Sequence, residues 1–193
     1  MARATFYFDL GSPYAYLTAS RIDAVLGEPA DWQPISLGAL FKLADRSSWS
    51  LGDPQRRKDG ISEVERRARA YGLPPLSWPQ PWPGNYLMAM RAAIYAQRIG
   101  RLREFADSAF RGGFQQGRDL SIPENVLTAA SAAGLDPGAV ERAVADSEIK
   151  LALREATDEA HRLGVIGVPT LAVAGELFWG DDRLEQAAAR LAI

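Results

Sequence analysis

Not one of the 193 residues is cysteine, and this absence removes more chemistry than any other feature of the chain. Thiol–disulfide exchange by the protein's own side chains, a thiolate metal site and a disulfide-stapled scaffold are all excluded. Histidine occurs once, as His161, which excludes a multi-histidine metal centre and two-histidine catalysis, and no metal site is expected. An excess of positive charge is also lacking. The 22 Lys and Arg residues stand against 24 Asp and Glu, for a formal net charge of −2, so no global field exists to hold a nucleic-acid backbone or an anionic membrane. No apolar run reaches the roughly 18 residues of a membrane-spanning helix. The opening MARATFYFDLGSP has no run as long as a signal-peptide core before Gly11-Ser12-Pro13 breaks it. The expectation is a cytoplasmic protein acting on a small molecule, with no nucleic-acid or membrane partner and with a homodimer left open.

What is present is an ordinary globular composition, 47% hydrophobic, in a chain long enough for one domain with an insertion. Residues 5–10 are rich in Phe and Tyr and read as a strand that ends at the Gly11-Ser12-Pro13 turn. Ser12 suits the N-cap and Pro13 the first position of a helix whose apolar pattern runs to Gly27. A second strand is expected over 32–37, parallel to the first because a helix joins them. From 38 to 164 the pattern turns helical, with helices expected over 40–44, 55–71, 86–99, 102–114, 123–133, 137–145 and 148–163. They are interrupted by the Pro-rich stretch 74–83, which cannot be regular helix or a central strand. Strands return at 169–174 and 176–179 around an Ala174-Gly175 hairpin turn, and a last helix follows with Asp181 or Asp182 as its N-cap. The order βαβ, helices, ββα predicts an α/β thioredoxin-like fold. One domain would comprise 1–37 with 165–193, and an all-helical domain, 38–164, would be inserted between its halves.

Two stretches carry candidate chemistry. In FYFDLGSPYAYL, Ser12 sits where a strand turns into a helix, a place that favours a negative charge. Serine without a base is a poor nucleophile, so the hydroxyl either donates to an anion brought by a ligand or only caps the helix. In GVIGVPTLAVAGELFWGDDRLE, Pro169 opens a buried strand, where a cis bond would turn the backbone N–H and C=O of Val168 outward to pair with an extended peptide. The alternative is a trans strand-start proline. Asp181 and Asp182 follow, and since a cap needs one acid, the other is available for an ammonium group.

Together with PWPGNYLMAMRAA, these stretches resemble the 2-hydroxychromene-2-carboxylate isomerase family, which is close to the kappa-class glutathione transferases and has the fold of Dsb-type oxidoreductases without their cysteines. The resemblance extends over nearly the whole chain. It implies a glutathione site in which Ser12 hydrogen-bonds the sulfur, the Val168 backbone pairs with the peptide, and Asp182, with Asp181 beside it, faces the γ-glutamyl end. Tyr14 and Gly180 would complete this cofactor set, and Pro169 would be structural. The activity implied is thiol-dependent cis/trans isomerisation of an aromatic or α,β-unsaturated carbonyl compound, in aromatic catabolism. A kappa-type transferase, or a non-catalytic thioredoxin-fold protein that binds a thiol or peptide, is the alternative.

This sequence also departs from the family. Ser47 or Ser48 stands near the place of a family asparagine, and the residue before Asp182 is acidic where the family has a neutral one. Two adjacent acids tolerate an ammonium and penalise a carboxylate. Asp181 would therefore turn to solvent or select another low-molecular-weight thiol in place of glutathione. For the substrate, Lys42 in GALFK and Arg57 in the basic run Arg56-Arg57-Lys58 are candidate carboxylate partners, and Trp82, with Trp78, is a candidate aromatic wall. Each also has a plain reading, as a solvated charge or as packing, and His161 reads as an ordinary surface residue.

Overall fold

A computed structural model describes residues 3–193. Its centre is a four-stranded sheet in the order β2-β1-β3-β4, made of β1 (Thr5–Phe8), β2 (Asp31–Pro34), β3 (Thr170–Val173) and β4 (Glu176–Trp179). β1 pairs in parallel with β2 and antiparallel with β3, and β3 continues into β4 as a hairpin. Ala174 and Gly175 both take positive φ, 49° and 82°, as a tight two-residue hairpin turn requires. This is the thioredoxin-like α/β fold expected.

Among the described residues ten α-helices pack around the sheet. The first connection is two helices where one was expected, α1 (Pro13–Ala19) and α2 (Ile22–Leu26). The break has a local cause: the Ser20 hydroxyl donates back to the Tyr16 carbonyl at 2.8 Å, and the Arg21 N–H closes a tighter turn on the Thr18 carbonyl. β2 is shorter than expected, ending at Pro34, and the next helix starts early, as α3 (Leu37–Leu43), because Ser36 accepts from the Ala39 N–H and caps it. Six helices follow: α4 (Pro54–Ala70), α5 (Leu87–Arg98), α6 (Leu102–Gln116), α7 (Pro123–Ala132), α8 (Pro137–Ala145) and α9 (Ser147–Arg162). The stretch between α4 and α5 is irregular, as its prolines dictate, and contains cis bonds at Gln80–Pro81 and Trp82–Pro83. Beyond β4 the chain makes a 3₁₀ turn over Asp181–Arg183 and then α10 (Leu184–Leu191). Neither Asp181 nor Asp182 caps that helix with its side chain, contrary to expectation.

The main core joins sheet and helices without interruption. Phe6 and Phe8 of β1 stack on each other and meet Trp32 of β2 edge-on, and Phe8 meets Phe110 of α6 at 5.9 Å between ring centroids. A smaller apolar cluster holds the sheet's other face, with Tyr7, Ile35, Leu40, Ala160, Val165 and Val168. Among the described residues no helix is long and apolar enough to cross a membrane.

Thr157 of α9 ties the helical region to the start of α3. Its buried hydroxyl accepts the Ser36 N–H at 3.0 Å and donates to the Leu153 carbonyl at 2.8 Å. Thr157→Val keeps the shape and strands the Ser36 donor, so a loss of about 1 to 3 kcal/mol in urea unfolding is expected. An unchanged unfolding midpoint would show that this bond does not anchor α3.

Candidate functional site

The chain turns sharply between β1 and α1, and this turn forms the floor of a cleft of about 730 Å³. Ser12 is almost fully buried there; its backbone N–H donates to the Asp9 carbonyl at 3.0 Å and its Oγ accepts the Ala15 N–H at 3.2 Å. Ser12 is thus the N-cap the sequence predicts. A hydroxyl that accepts one bond still has a proton to donate, and among the described residues nothing accepts it. Asp9 lines the same floor. Its two carboxylate oxygens accept the N–H groups of Gly11 and Leu37, each at 2.8 Å.

Opposite Ser12 the chain enters β3 through a cis Val168–Pro169 bond, as the sequence reading anticipates. The Pro169 carbonyl accepts the Gly180 N–H at 2.9 Å, which fixes the loop after β4 against the start of β3. The Val168 N–H and C=O have no hydrogen-bond partner among the described residues. Backbone groups of this kind need a partner, and along the cleft that partner is water or a ligand.

The acidic pair divides its work. Asp181 has turned inward, away from solvent, and is 1% exposed. Its carboxylate accepts from the Arg67 guanidinium at 2.7 Å and from the Tyr71 hydroxyl at 2.9 Å. Burial pushes its carboxyl above the usual range while Arg67 and Tyr71 draw it down. Arg21 stacks on the Tyr71 ring at 3.7 Å, and the other side of Arg67 is held by Glu63 at 2.7 Å. Asp182 stays more than half exposed, 3.7 Å from Arg67. Asp181 is thus paired within the protein, and Asp182 is the more exposed acid of the two.

Aromatic side chains build the walls. Trp82 is buried, packs edge-on to Trp78 at 4.8 Å between centroids, and meets Trp49 at 5.4 Å. Trp49 in turn reaches Tyr14 at 6.0 Å. Three glycines make room for these rings: a Cβ on Gly11, Gly60 or Gly167 would stand 2.1, 2.2 or 2.6 Å from Tyr86, Trp49 or Trp179 respectively. Of the predicted residues, Ser12, Tyr14, Lys42, Trp82, Val168, Pro169, Gly180, Asp181 and Asp182 line the cleft together. Ser48 joins them, while Ser47 lies outside. Arg57 does not line it: its guanidinium donates to the Trp82 carbonyl and lies 5.8 Å from the Trp82 ring centroid, so it braces the wall from behind. Sequence reasoning missed Arg67, Asp9, Trp49, Tyr86 and Trp179. Only Asp9 carries a signal, as an acid inside the FYFDLGSP motif; the others reach the cleft by tertiary folding.

The fold and the cleft set a class. The "DSBA-like thioredoxin domain" description matches residues 4–192, and the chain belongs to this DsbA-like thioredoxin family. Within it the chain is similar to proteins named 2-hydroxychromene-2-carboxylate isomerase. It is 27% identical to that of Sphingobium xenophagum, over 93% of both chains, and 26% identical to that of Pseudomonas putida, over 93% of this chain and 89% of the other. A solved structure of a 2-hydroxychromene-2-carboxylate isomerase superposes with a TM-score of 0.83 at 23% identity, covering 98% of this chain and 95% of that one.

Arg67→Met would leave the Asp181 carboxyl buried without its cation. It is expected to destabilise the protein by roughly 2 to 4 kcal/mol at neutral pH, a value lowered for the partial exposure of Arg67. The double variant with Asp181→Asn should recover most of that loss, because no buried charge then remains. Urea unfolding of the three variants checks this, and an Arg67→Met protein as stable as wild type would contradict it.

Proposed function

We propose that the cleft binds glutathione, or a low-molecular-weight thiol like it, and isomerises an aromatic or α,β-unsaturated carbonyl substrate. The observation that carries the reading is a buried Ser12 hydroxyl, its proton uncommitted, together with the unpaired Val168 backbone in one aromatic-walled cleft. The names of the relatives support an isomerase of the same kind. A bound thiol supplies a nucleophilic sulfur that adds reversibly to the conjugated carbonyl, so that a double bond becomes single, rotates and reforms on elimination.

The protein's own part is binding and orientation. Ser12 keeps its proton and donates a hydrogen bond that favours the ionised sulfur. The Val168 N–H and C=O hold an extended peptide as a further strand would, which fixes where the sulfur lies. Asp182, exposed beside Arg67, faces an ammonium, and the neutralised Asp181 places no second negative charge there. Lys42 on α3 meets a substrate carboxylate, while Trp82, Trp49 and Tyr14 hold a flat ring. Proximity does the remaining work, and no protein base is required. A transferase in the same cleft would consume the thiol, whereas an isomerase returns it, so counting free thiol through the assay separates the two.

Calorimetric titration with glutathione, followed by an absorbance assay on a chromene carboxylate, tests the reading. Saturable binding and turnover without net loss of thiol are expected. Ser12→Ala should lower turnover roughly tenfold to a hundredfold, the worth of one charge-assisted hydrogen bond. It also removes a helix cap, at about 1 kcal/mol of stability. No heat of binding, or full turnover in Ser12→Ala, would contradict the assignment.

A further inference from the structure

We propose that Asp9 is a positioning residue whose ionised carboxylate pins two walls of the cleft together, so that cleft geometry and ligand affinity change when it takes up a proton. One oxygen holds Gly11, in the turn that carries Ser12, and the other holds Leu37, the first residue of the helix that carries Phe41 and Lys42. Its backbone carbonyl holds Ser12 as well. A single side chain thus bonds both the Ser12 wall and the Lys42 wall.

Among the described residues no cation is paired with this group. The other ionisable groups lining the cleft are Tyr14 from α1, Lys42 from α3, Arg67 from α4, Tyr86 from the segment before α5, and Asp181 and Asp182 beyond β4. Among the described residues none forms a hydrogen bond or salt bridge with the Asp9 carboxylate, and Arg67 is engaged by Glu63 and Asp181. Burial pushes the Asp9 carboxyl up to about 6, against the pull of the Leu37 and Gly11 N–H bonds. The ionised form accepts from both N–H groups with charge assistance. Once protonated, one oxygen carries the proton and is a weak acceptor, so one wall loses its anchor. The tight cleft is therefore the form above about pH 6 and the loosened cleft the form below it.

The inference concerns the cleft itself, and only its affinity arm rests on the glutathione reading. The first arm needs no ligand. Trp49, Trp82 and Trp179 line the cleft, so tryptophan emission followed from pH 4.5 to 8 reports its geometry. The titration is run in a His161→Gln background, so that the chain's one histidine contributes nothing to it. A transition near pH 6 is expected. It should vanish in Asp9→Asn and move upward in Leu37→Pro. Proline suits the first helical position and removes the N–H that Asp9 holds, extended Ser36 tolerates a following proline, and Leu37→Ala, which keeps the N–H, controls for the lost side chain. If Asp9→Asn does not fold, the Leu37→Pro shift decides. No wild-type transition above pH 5, or the same midpoint in every variant, would overturn the proposal.

The second arm uses S-methylglutathione, whose sulfur cannot ionise. Its affinity should be roughly threefold to tenfold weaker at pH 5 than at pH 7.5, and flat with pH in Asp9→Asn. Affinity independent of pH in the wild type would overturn the coupling to Asp9. Failure of both S-methylglutathione and glutathione itself to bind at any pH would instead sink the glutathione reading and leave the emission arm to judge Asp9.

Discussion

β1 is paired on both edges, and the position of the cleft follows from that constraint. On one side Thr5, Phe6 and Tyr7 oppose Asp31, Trp32 and Gln33 in parallel; on the other they oppose Ala172, Leu171 and Thr170 in antiparallel register. Tyr7 stands beside Thr170, so the end of β1 that turns into Ser12 lies next to the start of β3, where Val168 and Pro169 enter the sheet. The parallel partner brings the end of β2, and so the start of α3, to the same edge. Ser12, Val168 and Lys42 come from three distant parts of the chain, and one short strand gathers them. Slipping β1 by one residue would turn Phe6 and Phe8 out of the core, so burial fixes the register and the register fixes the cleft.

Charge in the cleft is arranged in depth. Three carboxylates line it, each in a different state. Asp181 is buried and paired with Arg67 and Tyr71, Asp182 is exposed at the surface, and Asp9 is buried with backbone N–H partners alone. The first is structural, the second is free to meet a ligand, and the third is sensitive to protons. A ligand with an ammonium near Asp182 and an anion near Ser12 meets little opposing charge, since Asp181 spends its negative charge within the protein.

Much of this arrangement is legible in the sequence because it rests on local chemistry. The Ser12-Pro13 start, the Ala174-Gly175 turn and the prolines of the 74–83 stretch dictate their conformations within a few residues. Ser12 and Val168 are likewise marked by turn and strand-start signals. Other parts are set by partners far along the chain. Arg67 lies on a polar face of α4, where nothing nearby distinguishes it from Arg66 or Arg69, and only folding brings it to Asp181, 114 positions on. The same holds for Arg57, whose basic run suggests a ligand contact but whose guanidinium the fold directs onto Trp82. Asp181 and Asp182 follow the cap pattern, yet a 3₁₀ turn intervenes before α10 and the tertiary ion pair outcompetes the cap.

If the Ser12 turn holds a ligand's sulfur as an anion, protein-bound glutathione ionises more readily than free glutathione. A pH titration of the bound thiol through its ultraviolet thiolate absorbance, in wild type and in Ser12→Ala, measures this. The bound thiol is expected to ionise at least one pH unit below the free thiol in wild type, and to return most of the way in the variant, since one unit corresponds to about 1.4 kcal/mol of preference for the thiolate. A bound thiol that titrates like free glutathione in the wild-type protein, or identically in both proteins, would contradict it.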